Sequence, residues 1–294
     1  MEKARFNIGF IGAGNMGRPM INHLVHAGHH LTAFARRTQT IDALNGEGVM
    51  VVDSPAQAAA HADFIIINVT NTFDVEEVLF APHGVIHQAR VDSVVIDHST
   101  ISARATREFA HRLSASHIHF LDAPVSGGVN GARAASLTIM VGGRENVFER
   151  ARPILNVYGR VMTYVGGHGC GQVAKACNQI VQVVNIQGIA EAMLFAQIQG
   201  VAPDRLLEAI SPGFAGSRML DLMGPKMAKR DFSAGIEARL HDKDFSLIAE
   251  LADELNLHLP AMRVVAQQLR ALVKAGWGYD DTSSLLRVLE QAHS

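Results

Sequence analysis

The feature that most constrains the fold is a glycine pattern near the N-terminus. The stretch FIGAGNMGRPM sets three glycines in the spacing G-x-G-x-x-G, directly after an apolar run and directly before a helical pattern. In such strand–loop–helix units the first glycine allows a tight turn, the second admits a pyrophosphate close to the backbone, and the third packs the helix on the strand. The alternative is a plain glycine-rich turn. The context favours a dinucleotide-binding loop that comprises Gly12, Gly14, Asn15, Met16 and Gly17.

The remainder of the first half alternates short apolar runs with amphipathic stretches. The strand candidates span positions 6–12, 30–35, 63–69, 93–99, 119–125 and 137–143. Alternating β and α units predict a mostly parallel, doubly wound α/β sheet. From about position 166 the strand signals stop and helical patterns follow. We therefore predict two domains, a dinucleotide-binding α/β domain over 1–166 and a second domain made of helices over 167–294.

The end of the second predicted strand lacks the acidic residue that NAD sites usually place there. No Asp or Glu occurs between Glu2 and Asp42, and the strand ends instead in Arg36, Arg37 and Thr38. An acidic side chain bonds the ribose 2′-hydroxyl of NAD, whereas guanidinium groups hold a 2′-phosphate through paired contacts. The alternative is two solvated surface arginines. The pattern favours NADP(H) over NAD(H).

Charge and cysteine content narrow the class of protein. The formal net charge is −2 and no basic block occurs, so we expect neither nucleic-acid nor membrane-surface binding. Cys170 and Cys177 would lie about 10 Å apart on one helix, too far for a disulfide. The N-terminus lacks the apolar core of a signal peptide, so a cytoplasmic protein is expected. The fifteen histidines follow no metal-ligand pattern, and no metal is expected.

One lysine lies in a long apolar segment. Lys175 is the only Asp, Glu, Lys or Arg between Val161 and Ala190, and amide side chains interrupt the segment, which favours a helix inside the protein over a membrane span. Burying an ammonium costs several kcal/mol, and burial lowers the pKa of a lysine toward neutrality, where it can donate and take back a proton. The alternative is a lysine at a helix start whose amine reaches water. Both interpretations remain open from composition alone.

Two further motifs end predicted strands. In DAPVSGG, the residues Ser126, Gly127 and Gly128 can present a hydroxyl and backbone N–H groups to an anion such as a substrate carboxylate. In DHST, Ser99 and Thr100 fall at the carboxyl end of a strand, where open α/β sheets bind ligands. Plain strand-ending turns are the alternative in both places.

Together these motifs resemble those of a known family. GFIGAGNMGRPM, DAPVSGG, GCGQVAKACNQ and HDKDFSLIAE occur in the order and spacing of the β-hydroxyacid dehydrogenases, which include 3-hydroxyisobutyrate dehydrogenases and several semialdehyde reductases. The resemblance covers nearly the whole chain, and four separated motifs make it specific. It implies a Rossmann-type doubly wound sheet domain that binds NADP, joined by one long helix to an all-helical substrate and oligomerisation domain, in a homodimer or homotetramer.

Carried over residue by residue, the resemblance implies roles at the site. Lys175 would be the catalytic residue, which protonates the carbonyl oxygen as hydride arrives and acts as base in reverse. The implied substrate-binding residues are Ser126, Gly127, Gly128, Asn178 and Gln179. The implied cofactor contacts beyond the glycine loop and arginine pair are Val69, Thr70, Thr100 and Lys243.

The sequence departs from the family pattern in places that affect substrate and cofactor. Many members read K-x-x-N-N, but here Gln179 takes the place of the second Asn, a form similar to that of tartronate semialdehyde reductases. A longer amide would reach the same substrate oxygen from a shifted position. Val69-Thr70 stands where members often have Leu-Pro, and Ala35 stands where many have Asp, which agrees with NADP(H).

The leading hypothesis is an NADP(H)-dependent enzyme that reversibly reduces small carboxylated aldehydes or ketones. Tartronate semialdehyde is the leading candidate substrate. Glyoxylate, succinic semialdehyde and 3-hydroxyisobutyrate rank behind it. The alternative is a non-catalytic NADP-binding module, against which Lys175 and the intact SGG loop argue because a pure binder needs neither. A third possibility is the reduction of another C=X bond, such as an imine. Imine reductases of this architecture generally lack the lysine, so Lys175 argues against this possibility too. Arg218 and His241 are weaker candidates for substrate contact, since a surface arginine and a supporting histidine are the default interpretations.

Overall fold

A computed structural model of the chain describes residues 5–293, which form two compact units that meet between Lys175 and Ala176. The predicted domain boundary between residues 166 and 167 lies slightly earlier in the chain. The division after Lys175 falls inside the helix Cys170–Ile198. The strands are β1 (Asn7–Ile11), β2 (His30–Phe34), β3 (Met50–Val52), β4 (Phe64–Ile67), β5 (Val94–Asp97), β6 (His119–Asp122), β7 (Val125–Ser126), β8 (Leu137–Gly143) and β9 (Gly159–Gly166). The first unit's helices are α1 (Gly17–His26), α2 (Thr38–Gly46), α3 (Pro55–Ala59), α4 (Thr72–Phe80), α5 (Ala103–Ser114), α6 (Gly128–Arg133) and α7 (Glu145–Leu155).

The nine strands form one sheet in the order β3-β2-β1-β4-β5-β6-β8-β7, with β9 paired to β8. Strands β1 to β6 are parallel, while β8 runs antiparallel to both β6 and β7. All six predicted strand segments contain a strand, and the predicted Rossmann-type sheet is confirmed. The sequence pattern missed β3, which has only three residues, and β9, a largely exposed edge strand interrupted by polar side chains. It also did not separate the two-residue β7 from β6.

Successive residues of the central strands pack into two different cores because a parallel sheet in this fold is covered on both faces. In β4, Phe64 and Ile66 contribute to one core, and Ile65 and Ile67 contribute to the other. All four side chains are buried. Such strands appear in sequence as continuous apolar runs rather than as an alternating pattern.

The second unit is all-helical. It contains the greater part of α8 (Cys170–Ile198), followed by α9 (Pro203–Ile210), α10 (Arg218–Lys229), α11 (Ala238–Glu254), α12 (Pro260–Leu272) and α13 (Leu285–His293). Its core is formed by side chains that include Ile186, Met223, Phe245 and Leu269. Proline begins α9 and α12, where its missing N–H and fixed φ favour helix initiation.

Helix α8 is the longest helix, with 29 residues. Within residues 5–293 it is the one helix long and apolar enough to cross a membrane by length and composition alone. A core helix of a soluble protein passes the same test, and 44% of its most apolar window is buried inside the protein. The criterion is therefore weak evidence for a membrane span.

Candidate active site

The three motif glycines meet different local constraints. Gly12 has φ +100°, and a Cβ there would lie 2.1 Å from the Asn68 carbonyl oxygen. A Cβ on Gly17 would lie 2.2 Å from the Gly12 carbonyl oxygen, because the first turn of α1 packs against the loop. A Cβ on Gly14 would meet no atom within 4 Å. Gly12 and Gly17 therefore could not carry a side chain without a shift of the backbone, whereas Gly14 faces open space.

The start of α1 suits an anion. Its N-cap residue, Met16, makes no side-chain capping bond, and its first turn contains no acidic residue. Backbone N–H groups at a helix start and the positive end of the helix dipole bind phosphates. The local geometry thus fits the diphosphate of a dinucleotide.

The loops after β4 and β5 lie beside the glycine loop at the carboxyl edge of the sheet. The Val69 N–H donates to Ser99 Oγ at 3.0 Å, and the Ser99 N–H donates to Asp97 Oδ1 at 2.9 Å. Val69 and Thr100 are half-buried, and Thr70 is exposed. The structure thus brings these three sequence-predicted cofactor residues to one edge.

Arg36, Arg37 and Thr38 reach the same edge. Ile11 pairs with Phe34 in the parallel register of β1 and β2, so the residues after Phe34 emerge where the glycine loop begins. All three are exposed, and Arg37 is the N-cap residue of α2. Two guanidinium groups without an acidic neighbour on this strand end suit a phosphate better than a ribose hydroxyl.

The SGG segment turns sharply at the end of β7. Gly127 has φ +131° and Gly128 has φ +61°, a left-handed region that favours glycine. Ser126 is half-buried and Gly127 is exposed. The segment can therefore turn its hydroxyl and backbone toward a small anion.

Lys175 is buried, with 8% of its surface exposed. Its Nζ donates to the Val125 carbonyl oxygen at 2.9 Å. Because Val125 directly precedes Ser126, the ammonium lies next to the predicted carboxylate loop. The alternative interpretation, in which the amine of this lysine reaches water, does not agree with this burial.

Asp122 is a buried acid of the DAPVSGG motif for which the sequence analysis proposed no role. Its Oδ1 accepts from the Gly169 N–H at 2.9 Å, and its Oδ2 accepts from the Gln172 N–H at 3.0 Å. Burial raises the pKa of Asp122 to about 6, and the N–H donors offset that effect only in part. An acid at the end of a strand, directly before an apolar Ala-Pro-Val, was the available signal.

The raised pKa makes the stability of the fold depend on pH through Asp122. The folded-state pKa of about 6 exceeds the ordinary 3.8. The contribution of Asp122 to the free energy of unfolding is therefore fully present below about pH 4 and is lost as the pH rises through about 6. At about 1.4 kcal/mol per pKa unit, the loss is of the order of 3 kcal/mol. We expect Asp122→Asn to abolish this pH dependence, because an amide does not titrate. As the pH rises from about 4 through about 6, wild type should therefore lose stability relative to the variant. Urea unfolding of both proteins measures the difference, and a constant difference contradicts the assignment.

His98 of the DHST motif is a structural residue. Burial lowers its pKa to about 4, so the imidazole is neutral near pH 7. Nδ1 donates to the Ala123 carbonyl oxygen at 2.6 Å, and Nε2 then accepts from the Tyr158 hydroxyl at 2.8 Å. These bonds support the segment that carries Ser99 and Thr100.

In the second unit, the predicted residues form a polar cluster of their own. Gln179 Nε2 donates to Asp244 Oδ2 at 2.6 Å, and Gln179 Oε1 accepts from Asn178 Nδ2 at 2.9 Å. Lys243 Nζ lies 3.0 Å from Asp244 Oδ1. Gln179 is buried, and both the oxygen and the nitrogen of its side-chain amide are hydrogen-bonded to protein groups.

The two weaker candidates of the second unit differ in burial. Arg218 is exposed at the first position of α10. His241 is 1% exposed, and its Nδ1 lies 2.7 Å from Thr282 Oγ1. His241 is therefore buried inside this unit, and its contact with substrate stays a prediction.

The fold and the glycine loop define a nicotinamide-dinucleotide-binding protein. Residues 7–166 match the family model described as the NAD-binding domain of 6-phosphogluconate dehydrogenase. Residues 169–289 match the model described as the NAD-binding region of NADP-dependent 3-hydroxyisobutyrate dehydrogenase. The chain belongs to the 3-hydroxyisobutyrate dehydrogenase-like family of β-hydroxyacid dehydrogenases, which are NAD(P)-dependent oxidoreductases.

Individual relatives agree with this membership. The chain is 40% identical to 2-hydroxy-3-oxopropionate reductase of Escherichia coli K12, over 96% of this chain and 97% of the relative. It is 34% identical to 3-hydroxyisobutyrate dehydrogenase of Pseudomonas aeruginosa, over 86% and 88% of the respective chains. The Mycobacterium tuberculosis 3-hydroxyisobutyrate dehydrogenase with L-serine superimposes with a TM-score of 0.90 at 32% identity, covering 97% of this chain and 99% of that one.

Proposed function

We propose that the protein is an NADP(H)-dependent reductase of small carboxylated aldehydes, with tartronate semialdehyde (2-hydroxy-3-oxopropionate) as the leading substrate. The observation that carries the proposal is the buried Lys175 ammonium, bonded to Val125 beside the Ser126 loop. The name of the Escherichia coli relative and the Asn178-Gln179 pair support this substrate. Glyoxylate and succinic semialdehyde follow it, and 3-hydroxyisobutyrate is the candidate substrate for the oxidative direction.

In the proposed reaction, a nicotinamide cofactor held by the glycine loop would supply a hydride for the carbonyl carbon. Ser126 and the backbone of Gly127 and Gly128 bind the substrate carboxylate and thereby orient the aldehyde. Lys175 Nζ gives a proton to the carbonyl oxygen, which becomes the hydroxyl, and the neutral amine regains a proton from solvent. In the oxidative direction the neutral amine takes the hydroxyl proton.

The cofactor preference predicts a selective effect at the arginine pair. We expect the Arg36→Ala/Arg37→Ala variant to bind NADPH roughly 10- to 100-fold more weakly, because it loses charge-assisted bonds to the 2′-phosphate. NADH binding should change little, since NADH lacks that phosphate. Arg205→Ala is the control, because Arg205 is an exposed arginine of α9 that pairs with nearby Glu208. Titration with both cofactors measures the effect, and equal weakening of both contradicts the preference.

Steady-state reduction tests the activity itself. Purified protein is mixed with NADPH and tartronate semialdehyde, glyoxylate or succinic semialdehyde, and cofactor absorbance is followed. We expect the highest kcat/KM with tartronate semialdehyde. Binding of the cofactor without reduction of any of these aldehydes by NADPH, and without oxidation of 3-hydroxyisobutyrate by NADP+, would instead favour the non-catalytic module.

We further propose a cytoplasmic homodimer or homotetramer that binds neither nucleic acid nor membranes. The net charge of −2 without a basic block argues against nucleic-acid and membrane-surface binding, and the two free cysteines agree with a reducing compartment. Light scattering of the purified protein gives the subunit count, and a monomer would contradict the proposal.

A further inference from the structure

The turn of helix that precedes Lys175 is fastened by a buried carboxylate. Asp122 is 0% exposed and ends β6. Its two oxygens accept the N–H groups of Gly169 and Gln172, at 2.9 and 3.0 Å. The N–H groups at a helix start have no acceptor within the helix. The Asp122 carboxylate, which lies on a strand far away in the sequence, provides an acceptor for each of these two N–H groups.

Gln172 provides a second attachment on the same turn. The side chain is 3% exposed. Its Nε2 donates to the Ser99 carbonyl oxygen at 2.8 Å, and its Oε1 accepts from the Ile101 N–H at 3.1 Å. The first turn of α8 is therefore bonded to the segment after β5 as well as to the end of β6.

Close backbone packing removes the remaining freedom of this turn. A Cβ on Gly142 would lie 2.7 Å from both carboxylate oxygens of Asp122. A Cβ on Gly171 would lie 2.4 Å from the Asp122 carbonyl oxygen. The helix start and the two strands thus approach as closely as backbone allows, and a shift of the helix would break the bonds just described.

We infer that Asp122 and Gln172 are positioning residues for the proton donor. They fix the first turn of α8, and Lys175, one turn further on, keeps its Nζ at 2.9 Å from the Val125 carbonyl oxygen beside the SGG segment. This inference rests on the proposed role of Lys175. Proton transfer is sensitive to such placement, because a misplacement of about 1 Å can cost roughly 10²-fold in rate.

A double-mutant cycle separates positioning from plain stabilisation. The single variants are Asp122→Asn, which keeps the shape but offers one acceptor, Gln172→Met, which keeps the bulk without polar atoms, and Lys175→Ala. We expect the first two each to lower kcat roughly 10- to 100-fold, while the aldehyde KM and the NADPH Kd stay within about threefold. In the Lys175→Ala background the same substitutions should lower kcat no further, because no proton donor is left to position.

The outcomes distinguish the inference from the proposal on which it rests. Equal factors in both backgrounds would overturn the positioning role and leave Lys175 as the proton donor. A wild-type rate in Lys175→Ala would instead remove the proposed mechanism itself. Gln197→Met is the matched control on α8, where Gln197 is exposed, and it should behave as wild type. If Asp122→Asn does not fold, Gln172→Met decides the test, because it leaves the carboxylate in place.

Discussion

Lys175→Ala is expected to lower kcat for aldehyde reduction by about 10²–10⁴-fold, the contribution of a positioned general acid. NADPH affinity should be unchanged, because the loop and arginines proposed to hold the cofactor are untouched. The physical reason is that the alkoxide formed on hydride transfer then lacks the general acid that is proposed to protonate it. Single-turnover absorbance measurements of cofactor oxidation give the rate, and fluorescence titration gives the NADPH Kd.

The stability of Lys175 variants provides an independent check. Burying an ammonium opposes folding, so Lys175→Met, which keeps the bulk of the side chain, should unfold at the same temperature as wild type or higher while losing activity. Lys229→Ala is the control for lysine removal, because Lys229 is exposed in the last turn of α10. Full activity in Lys175→Met would show that the proton comes from elsewhere.

Gly14→Ala is expected to weaken NADPH binding by roughly 10- to 100-fold, corresponding to about 1–3 kcal/mol of steric cost. The new methyl meets no protein atom within 4 Å, so it should obstruct only a ligand that approaches the backbone. The unfolding temperature should therefore stay close to that of wild type. Calorimetric titration with NADPH and thermal unfolding measure the two quantities.

Two other glycines bracket this result. Gly46→Ala is the matched control, because Gly46 also has open space around its Cβ but ends α2. It should leave cofactor affinity unchanged and should not lower the unfolding temperature. Gly12→Ala should instead destabilise the fold, since its Cβ would lie 2.1 Å from the Asn68 carbonyl oxygen. If Gly14→Ala binds NADPH as tightly as wild type, the pyrophosphate does not approach this loop as proposed.

The sequence predicted what depends on local pattern. The strand, glycine loop and helix around Gly12 are specified within a few residues, and the fully buried strands appear as continuous apolar runs. Short or exposed strands carry no such signal: β3 has three residues, and most residues of β9 are exposed or half-buried. The family resemblance supplied the all-helical second unit, which periodicity alone indicated only as a series of helices.

Contacts over long sequence separations could not be predicted in the same way. The Asp122 carboxylate accepts N–H groups from residues 47 and 50 positions later, which only the folded sheet brings near. The Gln179 amide donates to a carboxylate 65 positions away, so its bonding pattern was equally invisible. The resemblance predicted that Gln179 binds substrate, and that role stays a prediction beside the observed bond to Asp244.

The attachment of the first turns of α8 has a consequence for recombination between relatives. Gln172 and Lys175 are bonded to Ser99, Ile101 and Val125, so the start of this helix belongs chemically to the dinucleotide-binding unit. A chimera with its crossover in the glycine cluster at 166–171 would inherit the lysine from one parent and its anchors from the other. A crossover after Lys175 keeps them from a single parent, so libraries built there should contain a larger share of active enzymes.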